Sequence, residues 1–281
     1  MRKDENVTVL KAKTGWLELD LKELVQYRDL IFLFVKRNYT TRYKQTILGS
    51  LWLILNPLIS VVMYSFVFGN VAGLASDGCP QFLFYLVSNT IWAFFASCLS
   101  QTASTFTANA GVFGKVYFPR LVTPISTVLT AAFDCAIQIV MIIAAMIVYG
   151  VVNRTCYPTE WLPCTILLLV QVGLLGLGFG IIISSLTTKY RDLAVLVSFG
   201  VQLWMYASPV VYSLEKIPQE YMTIYMCNPM SPIICVWRYA WLGTGYIPYT
   251  AWGISWIVTI AVLCIGIILF NRVEKTFMDT V

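Results

Sequence analysis

The sequence predicts an all-α polytopic membrane protein with six transmembrane helices, and three observations carry that prediction. Of 281 residues, 58% are hydrophobic and only 12% charged, with a mean hydropathy of +0.74, whereas soluble domains carry roughly 25% charge. The charges leave clean stretches at residues 45–76, 78–114, 135–153, 161–188, 193–214 and 239–271, each close to or above the ~20 helical residues that cross a hydrocarbon core. Finally, 16 of the 19 Lys and Arg residues fall on one side of the resulting topology, which places both termini in the cytoplasm.

The expected elements follow in chain order. Residues 1–46 form a cytoplasmic N-terminal segment whose first 20 residues are charged and polar, unlike a cleavable signal peptide. From residue 20 to 45, Leu21, Leu24, Val25, Ile31, Phe32, Val35 and Tyr39 recur near helical spacing beside Lys22, Arg28, Lys36, Arg37, Arg42 and Lys44. The apolar run 30–35 is too short to span, so a basic amphipathic helix in the headgroup layer is expected. It either anchors the chain or contacts an anionic lipid head or a partner subunit.

The six-helix domain occupies residues 47–271, with spans expected at 47–70, 82–108, 125–151, 162–187, 193–212 and 249–271. Pro57 marks a kink in the first, and Gly173, Gly176, Gly178 and Gly180 mark a close helix approach in the fourth. Between the fifth and sixth, residues 213–248 hold Pro218, Pro229, Pro232 and Pro248 around two short apolar pieces, the second carrying Arg238. Such pieces read as re-entrant gate helices on the outer face, tolerated only where buried in protein or lining a wet cavity. A tail, residues 272–281, returns to the cytoplasm.

Composition also excludes chemistry. With no histidine, His-based zinc centres, Ser-His-Asp triads and His proton relays are impossible. The eight cysteines contain no C-x-x-C pair, so no metal site is expected. Outer-side Cys79, Cys156, Cys164 and Cys227 permit a disulfide, with free thiols equally compatible. The net charge of +5 reflects topology and anionic lipid rather than nucleic acid. Asp134 is the one carboxylate well inside a span; a relay role competes with a helix-helix hydrogen bond to Gln138, and its isolation from other acids favours the structural role. The outer acids Asp77, Glu160, Glu215 and Glu220 are too dispersed for an enzyme's acid pair. Gly-Val-Phe-Gly-Lys-Val at 111–116 fails the phosphate-loop pattern in both spacing and the residue after Lys115. The loop 109–124 mixes basic and aromatic residues, which suits either an interfacial anchor or a docking contact.

Several short motifs recur in a fixed order relative to the spans: Arg42-Tyr43-Lys44-Gln45-Thr46 with Leu48-Gly49-Ser50-Leu51-Trp52 and Asn56-Pro57; Lys115-Val116-Tyr117-Phe118-Pro119-Arg120; and Lys189-Tyr190-Arg191-Asp192. They continue with Gln202-Leu203-Trp204, Ala207-Ser208-Pro209-Val210-Val211-Tyr212, Asn228-Pro229-Met230-Ser231-Pro232 and Trp237-Arg238. In these the chain resembles the permease subunits of ABC-2 type (type V ABC exporter-like) polysaccharide and O-antigen exporters, the Wzm-like family, from about residue 25 to 272.

The resemblance implies a half-channel that forms a homodimer in the bacterial inner membrane. Two copies of a separate nucleotide-binding subunit would bind ATP and Mg, leaving no cofactor and no catalytic residue in this chain. The cargo would be an undecaprenyl-diphosphate-linked glycan. Coupling to the ATPase subunit would fall to Lys115, Tyr117, Phe118, Pro119 and Arg120, with Lys189, Tyr190, Arg191 and Asp192 as a second contact. Arg28, Lys36, Arg37, Arg42 and Lys44 would meet the lipid diphosphate at the entrance by charge-assisted hydrogen bonds. Aromatic faces grip sugar rings without deep ion-pair wells, so Tyr64, Phe68, Tyr85, Trp92, Phe95, Trp204, Tyr206 and Tyr212 are the expected channel lining, set against the lipid-facing and core roles of most membrane aromatics. An exporter of teichoic acid, capsule, drug or peptide would share the architecture.

Overall fold

The computed structural model describes residues 21–44, 46–113, 118–153, 156–187, 192–214 and 217–277, and these contain helices, turns and loops but no strand. Five helical stretches are long and apolar enough to cross a membrane: Gly49–Val71, Gln81–Ala103, Val122–Gly150, Cys164–Thr187 and Tyr249–Arg272. The protein is thus a multi-pass membrane protein.

The described residues begin with two helices where one was expected, α1 (Leu21–Gln26) and α2 (Arg28–Tyr43), separated at Tyr27. The first span is α3 (Trp52–Tyr64), entered by a 3-10 turn at Gly49–Leu51 and extended by π-helical turns at Ser65–Val71. Its successor ends earlier than the expected residue 108: α4 (Gln81–Ala103) stops and α5 (Thr105–Phe113) resumes after Ser104, whose hydroxyl donates to the Gln101 carbonyl, a local bond that competes with the helix ladder. Next come α6 (Val122–Asn153) and α7 (Cys164–Thr187).

The largest departure is at the fifth span. Helix α8 covers Leu193–Tyr206 rather than 193–212, and 14 residues rise only about 21 Å. Residues 207–212 are turns and bends, buried from Ser208 to Val211, with Val210 and Val211 in the main core. Short helices α9 (Gln219–Cys227) and α10 (Met230–Leu242) follow, then α11 (Tyr249–Phe277). The prolines punctuate them. Pro218 precedes α9, Pro229 and Pro248 precede α10 and α11, and Pro232 lies in the first turn of α10, where its missing N–H has no helical partner to lose.

Packing centres on α4, the most buried span, and on α7, which lies against both α4 and α11. The predicted glycine seam is the reason α7 can do this. A Cβ on Gly180 would come within 2.4 Å of Thr102 Cβ and 2.9 Å of the Leu99 carbonyl on α4, whereas one on Gly178 would come within 3.0 Å of the Leu263 backbone nitrogen on α11. Alternate glycines therefore serve opposite neighbours, and backbones approach where any side chain would separate them. A disulfide, which the sequence left open, joins Cys79 before α4 to Cys156 after α6, tying two loops at one end of the bundle. Cys164 and Cys227 are free.

Candidate functional site

At the end of the bundle opposite the disulfide, α2 lies along α6 and closes a polar groove of about 490 Å³. Two arginines on α2 reach into it. Arg37 donates to Asn109 Oδ1 at 2.9 Å with its guanidinium 4.5 Å above the Phe34 ring. Arg42 donates through Nη1 to Asp134 Oδ2 at 2.7 Å and through Nη2 to Gln101 Oε1 at 2.8 Å. The described residues lining the groove include two guanidiniums, three amides from Asn38, Gln101 and Asn109, and hydroxyls such as Thr105 and Thr127, but no carboxylate. Such a lining fits an anion whose oxygens accept from guanidinium N–H groups.

The Arg42 pair gives Asp134 a structural role with a partner other than Gln138. Its predicted bond to Gln138 is not made: Asp134 Oδ1 and Gln138 Oε1 are both buried without a hydrogen-bond partner. A charged donor from α2, 92 positions away, holds the carboxylate instead. Of the five cations expected at the entrance, Arg37 and Arg42 line the groove, while Arg28, Lys36 and Lys44 are exposed elsewhere, Arg28 beside Asp29 at 3.8 Å.

The coupling residues divide similarly. Lys115, Tyr117, Lys189, Tyr190 and Arg191 lie outside the described residues. Phe118 is buried, 5.6 Å from Phe34, in a cluster with Leu24, Val122, Ile181 and Phe270. Its ring therefore cannot fill a partner's groove as expected, because it already packs α2 against the bundle. Pro119 and Arg120 are half-buried and their carbonyls start α6, and Asp192 is exposed at the start of α8. Phe118→Ala is expected to cost about 3–5 kcal/mol and to loosen α2; a thermal unfolding temperature of the detergent-solubilised protein equal to wild type would refute this.

The expected aromatic lining separates by burial. Tyr85, Trp92 and Phe95 are buried in the protomer core, so these three face neighbouring helices and present no surface for a polymer. Trp204 joins them, edge-to-face with Phe95 at 5.1 Å and Phe179 at 5.2 Å, its indole N–H donating to Asn228 Oδ1 at 3.0 Å. Tyr64 and Phe68 are half-buried neighbours at 6.0 Å, Tyr64 donating to the Met205 sulfur at 3.6 Å. Tyr206 is 44% exposed, and half-buried Tyr212 lies 2.9 Å from the Tyr225 hydroxyl. Burial, which decides between core and lining, has no signature in residue type.

Near the disulfide end, Arg238 is a polar hub that sequence reasoning noted only by position. Only 4% exposed, it lies 3.8 Å from Asp77 Oδ2 and 4.5 Å above the Phe84 ring, and it donates to the carbonyls of Pro209 and Tyr212. The guanidinium thus binds α10 to the turn after α8 and to the loop before α4. A mid-helix arginine in an apolar segment was the available signal, since such a charge requires buried partners.

The sequence model of the family described as "ABC-2 type transporter" matches residues 29–242, which contain the groove, the aromatic cluster and the Arg238 hub. Among curated relatives, an O-antigen export system permease protein RfbA of Klebsiella pneumoniae is 29% identical over 252 residues, covering 89% of this chain and 94% of the relative. The protein of that name from Myxococcus xanthus is 29% identical over 217 residues, 75% and 79% of the two chains. The polysialic acid transport protein KpsM of Escherichia coli is 23% identical over 249 residues, 87% and 93% of the two chains.

Proposed function

Because the chain belongs to the ABC-2 type transporter family, we propose that it is the membrane subunit of an ATP-driven exporter that moves a lipid-linked polysaccharide, such as an O-antigen, across the bacterial inner membrane. The observation that carries this reading is the family match over residues 29–242, with relatives named as polysaccharide permeases; the groove beneath α2 adds the guanidiniums of Arg37 and of Arg42, the latter paired with Asp134 from behind.

Two copies of the chain enclose the pathway, and a separate ATP-binding subunit, also in two copies, holds ATP and Mg. Both termini are cytoplasmic, so the α2 groove faces the cytoplasmic leaflet and α9 and α10 dip from the outer face. The undecaprenyl diphosphate enters at Arg37 and Arg42 and meets their N–H groups. The turn at 118–120 and the start of α8 at Asp192 face the ATPase subunit. Sugar rings then pass the accessible aromatics Tyr64, Phe68, Tyr206 and Tyr212, which attract CH faces without holding them. ATP hydrolysis is the partner's chemistry; this chain supplies binding, passage and release.

Deleting the gene for this chain in the bacterium that makes it is expected to remove the surface glycan and leave lipid-linked glycan inside, and the tagged chain is expected to bring down an ATP-hydrolysing subunit. A surface glycan unchanged by deletion would overturn the reading.

A further inference from the structure

The ion pair between Arg42 and Asp134 has a second face. Behind it, between α3, α4 and α6, lies a cavity of about 270 Å³ whose polar wall comes from Asn56, Ser60, Asn89, Ser97, Asp134 and Gln138. All six belong to spans, and a polar cavity at membrane depth must hold water or a polar ligand.

Its chemistry narrows the ligand. Asp134 Oδ1 and Gln138 Oε1 are both acceptors, buried, unpartnered and one helical turn apart. Acceptors without donors call for a ligand that brings O–H or N–H groups. The Asp134 carboxylate repels an anion, and Arg42 at 2.7 Å already neutralises it, which removes the attraction for a second cation. What remains besides water is a neutral ligand rich in hydroxyls, which would displace that water. Tyr43, Trp52 and Phe94 complete the wall with aromatic surface, which suits the CH faces of a ring. The volume equals about nine water volumes of about 30 Å³, room for one ring and not for a polymer.

We propose that this cavity binds the first sugar of the lipid-linked glycan, its hydroxyls donating to Asp134 Oδ1 and Gln138 Oε1. The diphosphate then lies in the groove, and the ion pair whose guanidinium lines the groove and whose carboxylate lines the cavity sets the register between phosphate and sugar. This rests on the lipid-diphosphate reading above and adds to it a subsite for the sugar.

The test compares two probes on the full-length chain in lipid nanodiscs: undecaprenyl diphosphate, and the same lipid bearing one N-acetylhexosamine. Two donated hydrogen bonds predict a preference of about tenfold or more for the sugar-bearing probe. Gln138→Leu, and separately Asn56→Leu at the exposed mouth, reduce that preference while leaving affinity for the sugar-free lipid unchanged. Arg37→Gln weakens both probes alike. Equal wild-type affinity for the two probes overturns the sugar subsite while the diphosphate entrance stands, as does a preference that survives in both cavity variants. Binding of neither probe overturns the entrance and the subsite together.

Discussion

Replacing Gly180 with valine is expected to abolish recovery of folded protein. Even a Cβ at this position would stand 2.4 Å from Thr102 Cβ and 2.9 Å from a backbone oxygen of α4, far inside van der Waals contact. The oxygen belongs to a helix and cannot swing aside, so α4 and α7 must separate. These two helices carry much of the core: Leu83, Phe84, Phe95, Leu168 and Val172 are all almost fully buried between or beside them. Overpacking in a well-packed interior costs about 1–3 kcal/mol, and parting two helices along their length multiplies the lost contacts. Gly173→Ala is the control, since its Cβ would meet nothing nearer than 3.4 Å. Monodisperse protein after detergent extraction is the readout; a valine variant recovered at the level of the Gly173 control would show that the seam is looser than these distances.

Truncating Arg238 to alanine is expected to have the next largest effect. The change strands Asp77, 8% exposed by its side chain, and removes the donor to two backbone carbonyls. Removing one partner of a buried pair costs about 3–5 kcal/mol, whereas replacing both by apolar groups of similar volume is often near neutral. The asymmetry gives the measurement. Arg238→Leu combined with Asp77→Asn, which removes the charge yet tolerates the positive φ at this position, should be more stable in thermal unfolding than Arg238→Leu alone, giving a coupling energy well above the scatter of additive sites. Additive losses would mean that the 3.8 Å separation is too long for the pair to matter and that the carbonyls and Phe84 hold the guanidinium alone.

The sequence exposed the spans because lipid demands long charge-free segments, and it exposed the glycine seam because close approach permits no substitute for hydrogen. It misplaced the end of the fifth span for a related reason. Residues 207–212 are largely apolar and extend the charge-free run, but Pro209 within them is the signal that a helix ends there, and the length of the run outweighed it. The partner of Asp134 was illegible for another reason. A lone intramembrane acid calls for a cation, but pairing over 92 positions depends on α2 lying along α6, and neither segment's pattern encodes that approach. Phe118 and the aromatic trio of Tyr85, Trp92 and Phe95 show the same limit. Their residue types suit docking or sugar contact, and they are consumed by packing because the fold brings Phe34 against Phe118, Trp204 against Trp92 and Phe95, and Tyr64 against Tyr85.

The alternate use of glycines along α7 has a mechanical side. Helix α7 approaches α4 and α11 closely at its glycines, and Gln171 ties it further to α11 by accepting from the Trp252 indole and donating to the Ser255 hydroxyl. Such a trio moves as one stiff body, since packed interfaces switch between discrete arrangements and deform little in between. Helix α3 shares little buried surface with the rest, and α8 exposes Val195, Leu196, Phe199 and Leu203. If the chain exports a glycan as proposed, any widening would fall to α3 and α8, with the glycine-seamed helices as the frame.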